Sequence, residues 1–499
     1  MSRSRSSAST PFQSDSIATS RFRSRSGSSR SRTGVPRTGR IDIAIPAHIF
    51  REYDIRGVVG VDLTRERVRT LGLAVAATFR RESIGEAVVG RDVRPSSDEF
   101  FDALAEGLTR GGVSVVDIGV VPTPVFYFAA KKWGYAGGVM ITASHNPSEF
   151  NGFKVLRGEG TIYGDDILEL RDVAGGNLAE PGGGRVMERD ARGEYVDYLA
   201  RNITLSRAVS FAADGGNGTA GIVVRDLFRR IGVKPLELFM DPDGTFPNHH
   251  PDPTVPENLA ALRAAVLANK LELGVSFDGD SDRIGVIDDR GEILWGDRLL
   301  ALFARSVLAA HPGSTVIFEV KCSESLIEDI ARHGGTPIMW KAGHSLIKKK
   351  MRETGALLAG EMSGHIFFAD RYFGYDDALY AACRLLEIVS RGTVPLSRLL
   401  ADLPRYESTP EIRIDCADER KFDVVREVRD HFRKTHDVID IDGARVKFDG
   451  GWGLIRASNT QPALVLRFEA STKERLAAIK GEVAAVLARY VDVSTLMDA

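Results

Sequence analysis

Short apolar runs alternate with amphipathic helical stretches along most of this chain, and this alternation limits the fold more than any other feature. A strand is predicted at 87–90, and a helix is predicted from Ser96, where Ser96 and Glu99 form a capping box. The Gly111-Gly112 pair ends that helix, and the next apolar run predicts a strand at 113–118. Such alternation indicates a three-layer α/β domain with a largely parallel sheet and ligand loops at the strand ends.

The same pattern occurs twice more and then changes near residue 405. A second unit contains predicted strands at 208–211 and 273–277, and a third unit starts near Thr315. Beyond residue 405, apolar runs on either side of an Asp449-Gly450 turn predict antiparallel strands flanked by helices. The predicted fold is therefore three consecutive three-layer α/β/α domains with mixed sheets, followed by a C-terminal α+β domain. The predicted bounds are 45–188, 189–293, 294–404 and 405–499, after a tail at 1–44.

The N-terminal tail differs in charge from the rest of the chain. Residues 1–40 contain nine arginines and one aspartate, so the formal net charge of −2 leaves −10 for residues 41–499. The tail is rich in serine and poor in apolar residues, and we expect it to be disordered. Three interpretations stay open: a dispensable extension or mis-assigned start, a targeting segment, or an arm that binds an anionic partner. We expect no nucleic-acid binding by the folded body.

Composition also bounds the cellular setting. No run approaches the roughly 18 apolar residues that a membrane span needs. Cys322, Cys383 and Cys416 are widely spaced and odd in number, which favours free structural thiols in a reducing compartment over a disulfide framework. We therefore expect a soluble, cytoplasmic and monomeric protein that contacts no membrane.

Three aspartates alternate in a loop that follows a predicted strand. The carboxylates of Asp278, Asp280 and Asp282 can converge on one point, and such concentrated negative charge requires a cation. Oxygen ligands that leave room for a phosphate oxygen favour Mg2+. An EF-hand-like Ca2+ loop is the alternative, but Arg283 stands in place of the turn glycine and Asp289 in place of the bidentate glutamate. A solvated acidic turn is the other possibility.

A serine lies in a second loop, directly after the apolar run 137–141. Ser144, in Thr142-Ala143-Ser144-His145-Asn146-Pro147, is followed by a histidine, and Lys154 lies ten residues further on. A nucleophile, a proton partner and a nearby cation are what a covalent phosphoryl carrier needs. Together with Arg56 and Arg283, Lys154 could surround a phosphoryl group in transfer. The alternative is an ordinary serine turn closed by Asn-Pro.

Two further loops carry groups that suit a sugar phosphate. Glu361 and Ser363, in Gly360-Glu361-Met362-Ser363-Gly364-His365, offer acceptors to vicinal hydroxyls, and His365 adds a third polar group. A turn with a capping glutamate is the alternative. After a predicted strand, a guanidinium, two hydroxyls and an amide form a potential anion site. Its residues are Arg456, Ser458, Asn459 and Thr460.

These motifs together resemble the α-D-phosphohexomutases, most closely the bacterial phosphomannomutase/phosphoglucomutase branch. The resemblance rests on four motifs in order across Ile49 to Val491: Thr142–Pro147, Asp278–Arg283, Gly360–His365 and Arg456–Thr460. It implies a phosphoserine at Ser144, Mg2+, a hexose 1,6-bisphosphate activator, and interconversion of hexose 6-phosphates and 1-phosphates. Two positions depart from the branch's usual pattern, with Ser281 in place of glycine and Gln461 in place of threonine.

The resemblance also implies roles for single residues. Arg56 and Lys154 are expected to act in acid–base chemistry or to stabilise the transition state, with His145 as a proton partner. Ser144 joins the three aspartates at the metal, and Arg283 is the cation of the phosphoryl site. Tyr53, Lys321, Gly343 and His344 are expected to bind substrate with the groups named above.

Three rival functions stay open from the sequence. A phosphoglucosamine mutase is the rival within the family, although Met362 and Asn459 resemble the mannose/glucose branch. A Mg2+-dependent phosphatase and a basic-tailed interaction protein are rivals from other classes.

A hexose phosphate must be held at both ends if its two phosphate positions exchange on one serine, so two phosphate sites are required. Ser144 and the loop at Arg456 can supply them.

Overall fold

Four β-sheets in chain order organise the computed structural model, which describes residues 44–459 and 461–498. The first sheet has seven strands in the order β1-β5-β4-β2-β3-β7, with β6 paired to β5. Its parallel centre and antiparallel edge make it mixed. The strands are Ile55–Val58 (β1), Glu86–Arg91 (β2), Ser114–Val120 (β3), Gly137–Ile141 (β4), Phe150–Arg157 (β5), Gly160–Thr161 (β6) and Val186–Glu188 (β7). The helices of this part are Arg65–Arg81 (α1), Ser97–Arg110 (α2), Thr123–Trp133 (α3), Asp165–Ala174 (α4) and Arg192–Asn202 (α5).

The second and third sheets have four strands each, and each carries one antiparallel edge strand. The second sheet has the order β11-β10-β8-β9, and the third has the order β13-β12-β14-β15. The second contains Phe211–Asp214 (β8), Leu236–Leu238 (β9), Leu273–Phe277 (β10) and Ile284–Asp288 (β11), with helices Val224–Arg230 (α6) and Ala260–Asn269 (α7). The third contains Thr315–Glu319 (β12), Thr336–Trp340 (β13), Leu358–Gly360 (β14) and Ile366–Phe368 (β15). Its helices are Gly296–Ala310 (α8), Glu324–Arg332 (α9), His344–Thr354 (α10), Ala378–Ser390 (α11) and Leu396–Leu399 (α12).

The fourth sheet is entirely antiparallel. Its order is β16-β21-β20-β19-β18, and β17 also pairs with β21. The strands are Glu407–Ser408 (β16), Ile412–Asp415 (β17), Val438–Ile439 (β18), Ala444–Phe448 (β19), Gly451–Ala457 (β20) and Ala463–Ala470 (β21), with helices Asp418–Phe432 (α13), Lys473–Leu487 (α14) and Ser494–Asp498 (α15). Asp449 and Gly450 form the β19–β20 turn, as predicted. Three mixed α/β units and an antiparallel α+β unit confirm the predicted fold class.

The capping box predicted at Ser96 was wrong. Ser96 precedes α2, but its side chain makes no capping hydrogen bond and its backbone is already helical. The Ser96 hydroxyl instead accepts a hydrogen bond from Asn151 Nδ2 at 2.8 Å. A buried amide on the neighbouring strand therefore outcompetes the local backbone donor, which is a tertiary effect that the local pattern does not encode.

One large hydrophobic cluster is shared among the first three sheets, the first unit has a second cluster of its own, and the fourth unit has another. One large buried cluster runs from α3 through the second sheet to α8, α11 and the third sheet, and it includes Phe128, Phe277 and Phe303. A different cluster fills the fourth unit, where Val428 and Leu466 are buried. Burial of apolar side chains supplies most of the stabilisation of each unit. The four domain boundaries predicted above stay a prediction.

Candidate active site

The loop between β4 and β5 presents Ser144 in a constrained backbone conformation. Ser144 has φ of 51°, in the left-handed region that few non-glycine residues adopt. Its N–H donates to Thr142 Oγ1 at 2.9 Å, and the buried guanidinium of Arg94 donates to the carbonyl oxygens of Ser144 and Phe150 at 2.8 and 3.0 Å. Arg94 also donates to the carbonyls of Asn146 and Pro147. Arg94 therefore holds the loop in place through its backbone carbonyls. The strained left-handed conformation of Ser144 persists because these surrounding contacts fix it.

The Ser144 hydroxyl joins the first and second sheets. Its Oγ donates to Asp278 Oδ2 at 2.7 Å and lies 3.2 Å from His145 Nδ1. Burial, followed by the charge of Arg283, lowers the pKa of His145 well below its usual value, which favours a neutral imidazole. The serine proton thus faces a carboxylate, and the oxygen keeps a lone pair for another atom.

The acidic loop between β10 and β11 gathers its three carboxylates as predicted. Asp278, Asp280 and Asp282 are completely buried, and one oxygen from each lies within 4.8 Å of the others. Asp278 Oδ1 accepts the N–H groups of Asp282 and Arg283 at 3.0 and 3.1 Å. Among the described residues, Asp280 Oδ1 and Asp282 Oδ1 are buried without a hydrogen-bond partner. Unpartnered buried carboxylate oxygens fit a hard divalent cation such as Mg2+, which takes oxygen ligands.

Lys154 is the main countercharge to this loop. It lies on β5 opposite Met140, and its Nζ donates to Asp280 Oδ2 at 2.9 Å and to Asp282 Oδ2. Burial favours the neutral amine, but the two aspartates outweigh burial and raise the pKa of Lys154 well above its usual value. Burial and the charges of Asp282 and Asp280 raise the pKa of Asp278 well above its usual range. Because the three carboxylates are buried away from water, their negative charge has to be neutralised by cations close to them.

Two arginines border the serine and the acidic loop. Arg56 on β1 donates to Asn146 Oδ1 at 2.6 Å and to Asp54. Arg283 follows the acidic loop, and its Nε donates to His365 Nε2 at 3.0 Å. Both guanidinium groups are thus attached to loops that carry other predicted site residues.

The loop between β14 and β15 carries Glu361, Ser363 and His365. Glu361 Oε1 accepts the N–H of Gly343 at 2.6 Å, and this joins the loop to the start of α10. Gly343 has φ of 129°, and a Cβ at this position would lie 2.5 Å from the Tyr53 ring, so only glycine fits. Ser363 is half-buried. Lys321, which follows β12, donates from Nζ to Glu411 Oε2 at 3.0 Å.

The anion-binding loop predicted in the fourth unit lies at the end of β20. Arg456 pairs with Asp442 at 3.0 Å, and its side chain is buried. Asn459 Nδ2 donates to the Tyr53 hydroxyl at 2.6 Å, and that hydroxyl donates to the Ala342 carbonyl at 2.7 Å. Ser458 is buried in the same loop, whereas Thr460 lies outside the described residues. Tyr53 therefore connects the first, third and fourth units at one point.

A continuous set of contacts links the predicted residues. Ser144 touches the acidic loop, which reaches His365 through Arg283. The rings of His365 and His344 stack at 5.5 Å, and Gly343 touches both Glu361 and Tyr53. Several polar partners, all buried except the half-buried Asp442, were missed because no local motif marks them: Thr123, Glu319, Lys348, Asp376 and Asp442. The adjacent acids Asp376-Asp377 in a Gly/Tyr-rich loop were the one visible signal.

The two departures from the motif pattern have structural explanations. Ser281 has φ of 64°, which explains why glycine suits this position, and its buried hydroxyl lies 2.9 Å from Thr219 Oγ1. This contact offsets part of the strain. Gln461 donates its N–H to Ser458 Oγ at 3.1 Å and accepts from Arg413.

The three mixed α/β units and the antiparallel α+β unit meet around a serine, an acidic loop and a cationic loop. This arrangement defines a multidomain site of the phosphoryl-transfer class. Four family descriptions match the chain: phosphoglucomutase/phosphomannomutase alpha/beta/alpha domains I, II and III, and the C-terminal domain. They match residues 47–171, 193–291, 295–406 and 411–486. The chain belongs to the phosphoglucomutase/phosphomannomutase family.

Named relatives and a solved structure agree with this membership. A phosphomannomutase/phosphoglucomutase of Pseudomonas aeruginosa is 46% identical over 437 residues, which cover 87% of this chain and 94% of the relative. A phosphoglucomutase of Neisseria gonorrhoeae is 45% identical, covering 89% and 97%. A crystal structure of a family protein from Burkholderia thailandensis matches with a TM-score of 0.85 at 42% identity, covering 90% of this chain and 99% of that one.

Proposed function

We propose that this protein is a phosphohexomutase that interconverts the 6- and 1-phosphates of mannose and of glucose. The observation that carries the proposal is the Ser144 hydroxyl, held between Asp278 and His145 beside the acidic loop. The Pseudomonas aeruginosa relative is named for both sugars, and the Neisseria gonorrhoeae relative is named for glucose. Within this family, such a serine serves as the phosphoryl carrier.

In the proposed reaction, phosphorylated Ser144 donates its phosphoryl group to the free hydroxyl of a hexose phosphate. The bond from phosphorus to Ser144 Oγ breaks, a bond to the sugar oxygen forms, and the hydroxyl proton passes to a base in the site. The resulting hexose 1,6-bisphosphate turns round, and the other phosphate returns to Ser144. Hexose 1,6-bisphosphate would therefore restore the phosphorylated enzyme, which makes it an activator.

Each group of residues has a distinct proposed task. Ser144 and the three aspartates would hold Mg2+, which neutralises charge on the transferring phosphoryl group. Arg56, Lys154 and Arg283 would surround that group as cations or proton donors, with His145 as a proton partner. Tyr53, Lys321, Gly343, His344, Glu361, Ser363 and His365 would hold the sugar phosphate, and Arg456, Ser458, Asn459 and Thr460 its distal phosphate.

We also propose that the protein acts as a monomer in the cytoplasm, on small sugar phosphates. One chain supplies all the proposed site residues, so no partner copy is required. The three cysteines are buried free thiols, in keeping with a reducing compartment. In the described part of the chain, no helix is both long and apolar enough to cross a bilayer.

A coupled assay with mannose 1-phosphate, glucose 1-phosphate and glucosamine 1-phosphate side by side tests this proposal. We expect kcat/KM for mannose and glucose phosphates to agree within about tenfold, a difference of roughly 1.4 kcal/mol. These sugars differ only at the 2-hydroxyl, while Glu361 and Ser363 are expected to bind the 3- and 4-hydroxyls. Glu361→Ala should therefore damage both activities in parallel.

The same assay separates the rival functions. A preference for glucosamine 1-phosphate would assign the protein to the other branch of the family. Release of inorganic phosphate without isomerisation would indicate a phosphatase. A gap between mannose and glucose far above a hundredfold, or loss of only one activity in Glu361→Ala, would leave a single-substrate mutase.

A further inference from the structure

A buried lysine on α10 has no task in the mechanism above. Lys348 lies one turn after His344, and its side chain is 5% exposed. Its Nζ lies 3.0 Å from Asp376 Oδ1 and 3.2 Å from His344 Nδ1, above the face of the Tyr127 ring at 4.1 Å. Burying an ammonium is costly, and a well-packed apolar residue would often serve stability as well. The position of this charge therefore calls for an explanation beyond packing.

His344 Nδ1 has two neighbours with opposite requirements. Lys348 Nζ lies 3.2 Å away, and Asp376 Oδ2 lies 3.4 Å away. An ammonium only donates, so Nδ1 must then accept, whereas a carboxylate only accepts, so Nδ1 must then carry the proton. Burial, with the charge of Lys348 next, lowers the pKa of His344, which favours the neutral ring with a single proton. Only one of the two hydrogen bonds can exist at a time.

The neighbouring histidine indicates which bond forms. Arg283 Nε donates to His365 Nε2 at 3.0 Å, and because arginine cannot accept, His365 must carry its proton on Nδ1. That nitrogen lies 3.2 Å from Asp376 Oδ2 and 3.2 Å from the Asp282 carbonyl. Asp376 Oδ1 accepts from Lys348, while Asp376 Oδ2 has no hydrogen-bond partner among the described residues. His365 Nδ1 lies nearer to this oxygen, at 3.2 Å, than His344 Nδ1 does, at 3.4 Å, so His365 is the nearer donor of the two.

The charge state of Asp376 bears on the protonation of Lys348. Burial would raise the pKa of Asp376, but the charge of Lys348 and the two histidines outweigh burial and hold it well below its usual range. Burial lowers the pKa of Lys348 from its usual value, and the ionised Asp376 at 3.0 Å opposes this effect and favours the ammonium form. The shorter contact of His344 Nδ1 is also the one to Lys348.

We propose that Lys348 is a positioning residue that sets the tautomer of His344, with the ring proton on Nε2. Nδ1 then accepts from Lys348, and Nε2 is left as a donor. Among the described residues Nε2 has no hydrogen-bond partner, while the ring lies at the head of α10, edge-on to Tyr53 at 6.3 Å. A donor at this point suits a hydroxyl or phosphate oxygen of the ligand, an inference that rests on the proposed function.

The two stacked histidines would then be opposite tautomers. Their rings lie 5.5 Å apart and 18° from parallel, with Lys348 next to one and Arg283 next to the other. Each cation occupies one acceptor nitrogen, so His344 keeps Nε2–H and His365 keeps Nδ1–H. Lys348 therefore prepares His344 without touching the reacting atoms, and Arg283 sets the tautomer of His365 in addition to its proposed place at the phosphoryl group.

Nitrogen NMR of the full chain labelled with 15N-histidine tests the tautomer directly. We expect His344 to show a protonated-type shift at Nε2 and an unprotonated-type shift at Nδ1, with His344→Ala identifying the signals by their loss. A wild-type His344 protonated at Nδ1 would overturn the proposal. This measurement needs no substrate, so its outcome is independent of whether the protein is a mutase.

Lys348→Met provides the second test, with Lys349→Met as the matched control, because Lys349 is a neighbouring lysine on α10 whose charged end is exposed. Lys348→Met should move the His344 proton to Nδ1 and lower kcat/KM for glucose 1-phosphate roughly ten- to a hundredfold. Lys349→Met should change neither quantity. An unchanged His344 tautomer in Lys348→Met would contradict the proposal.

A double-mutant cycle separates positioning from a merely structural role. If Lys348 acts through His344, Lys348→Met should cost less than about twofold in kcat/KM when His344 is already alanine. An equal loss in both backgrounds would show that the lysine acts by another route. If Lys348→Met alone does not fold, Lys348→Met with Asp376→Asn removes both charges together, and the His344 signal in that variant gives the same decision.

Discussion

The serine and acidic-loop region differs from the anion-binding loop of the fourth unit in how each is held in place. Around Ser144, the carboxylates of the second unit are completely buried and are contacted by side chains of the first unit that lie more than a hundred residues away in the chain. Around Arg456, the fourth unit has its own hydrophobic cluster. The small apolar patch it shares with the third unit contains Val320, Trp452 and Leu454.

Polar contacts connect the fourth unit to the third. Arg445 donates to the carbonyls of Val320 and Cys322 at 2.7 and 2.8 Å, and its guanidinium stacks on Trp452 at 3.7 Å. Lys321 and Glu411 form a further pair across the two units. Polar interfaces of this kind resemble transient ones more than a shared core does. From this comparison we expect the region around Ser144 and the acidic loop to be a pre-formed chemical centre. We expect the loop at Arg456 to be a less tightly fixed anchor for the distal phosphate.

The largest effect is expected at the chemical centre. Ser144→Ala removes the proposed phosphoryl carrier while the surrounding site stays packed, so turnover should fall on the order of 10^4-fold with folding intact. Intact-protein mass spectrometry should show one phosphate on wild type and none on the variant. A variant that keeps near wild-type rate without added bisphosphate would contradict the covalent route.

A second large effect is expected at the acidic loop. Asp280→Asn removes one of three charges at the proposed metal site, so Mg2+ affinity and turnover should fall on the order of 100-fold. Titration of activity with Mg2+ should show partial recovery at high concentration. Asp102→Asn, an exposed substitution on α2, is the matched control and should change neither quantity. Activity that is indifferent to a chelator would remove the metal assignment.

A smaller effect, of a different kind, is expected at the anchor. Arg456→Lys keeps a charge beside Asp442 but loses the planar fork, so KM should rise roughly tenfold while kcat changes by less than about threefold. Steady-state kinetics with glucose 1-phosphate measures both, and Arg413→Lys, an exposed arginine of the same unit, is the control. A loss in kcat with no change in KM would show that the Arg456 loop acts in the chemical step, like the Ser144 region, and not as a separate anchor.

The smallest effect is expected from the N-terminal tail. Deleting residues 1–40 should leave kcat/KM and Tm nearly unchanged, because a segment of this Arg- and Ser-rich composition can bury little apolar surface. Thermal unfolding and the mutase assay check this directly. A decrease of several degrees in Tm would mean that the tail packs on the folded body.

Local sequence patterns predicted most secondary structure but missed some ends. The strand predicted at 208–211 is observed at Phe211–Asp214, and the strand predicted at 113–118 is observed at Ser114–Val120. Strand and helix periodicity identifies elements well, whereas ends depend on local competition for hydrogen bonds. Ser96 is the clearest case, because Asn151 on a neighbouring strand binds the hydroxyl that the capping pattern assigned to the helix.

The sequence by itself determined the kind of chemistry that each loop offers. A serine beside a histidine, three alternating aspartates, and an arginine among hydroxyls and an amide are local choices of side chain, and each follows a predicted strand. The order of sheets and the change to antiparallel pairing also follow from local periodicity.

Only the tertiary structure decided which of these groups meet. Ser144 with Asp278, Lys154 with Asp280, and Tyr53 with Asn459 are pairs of residues far apart in sequence. Lys348 looks like an ordinary helix-surface lysine in the sequence, yet it is buried between Asp376 and His344. The physical reason is that buried charges pair only where the ends of strands and the starts of helices come together in space. The local sequence pattern around each residue does not encode the distance between such segments.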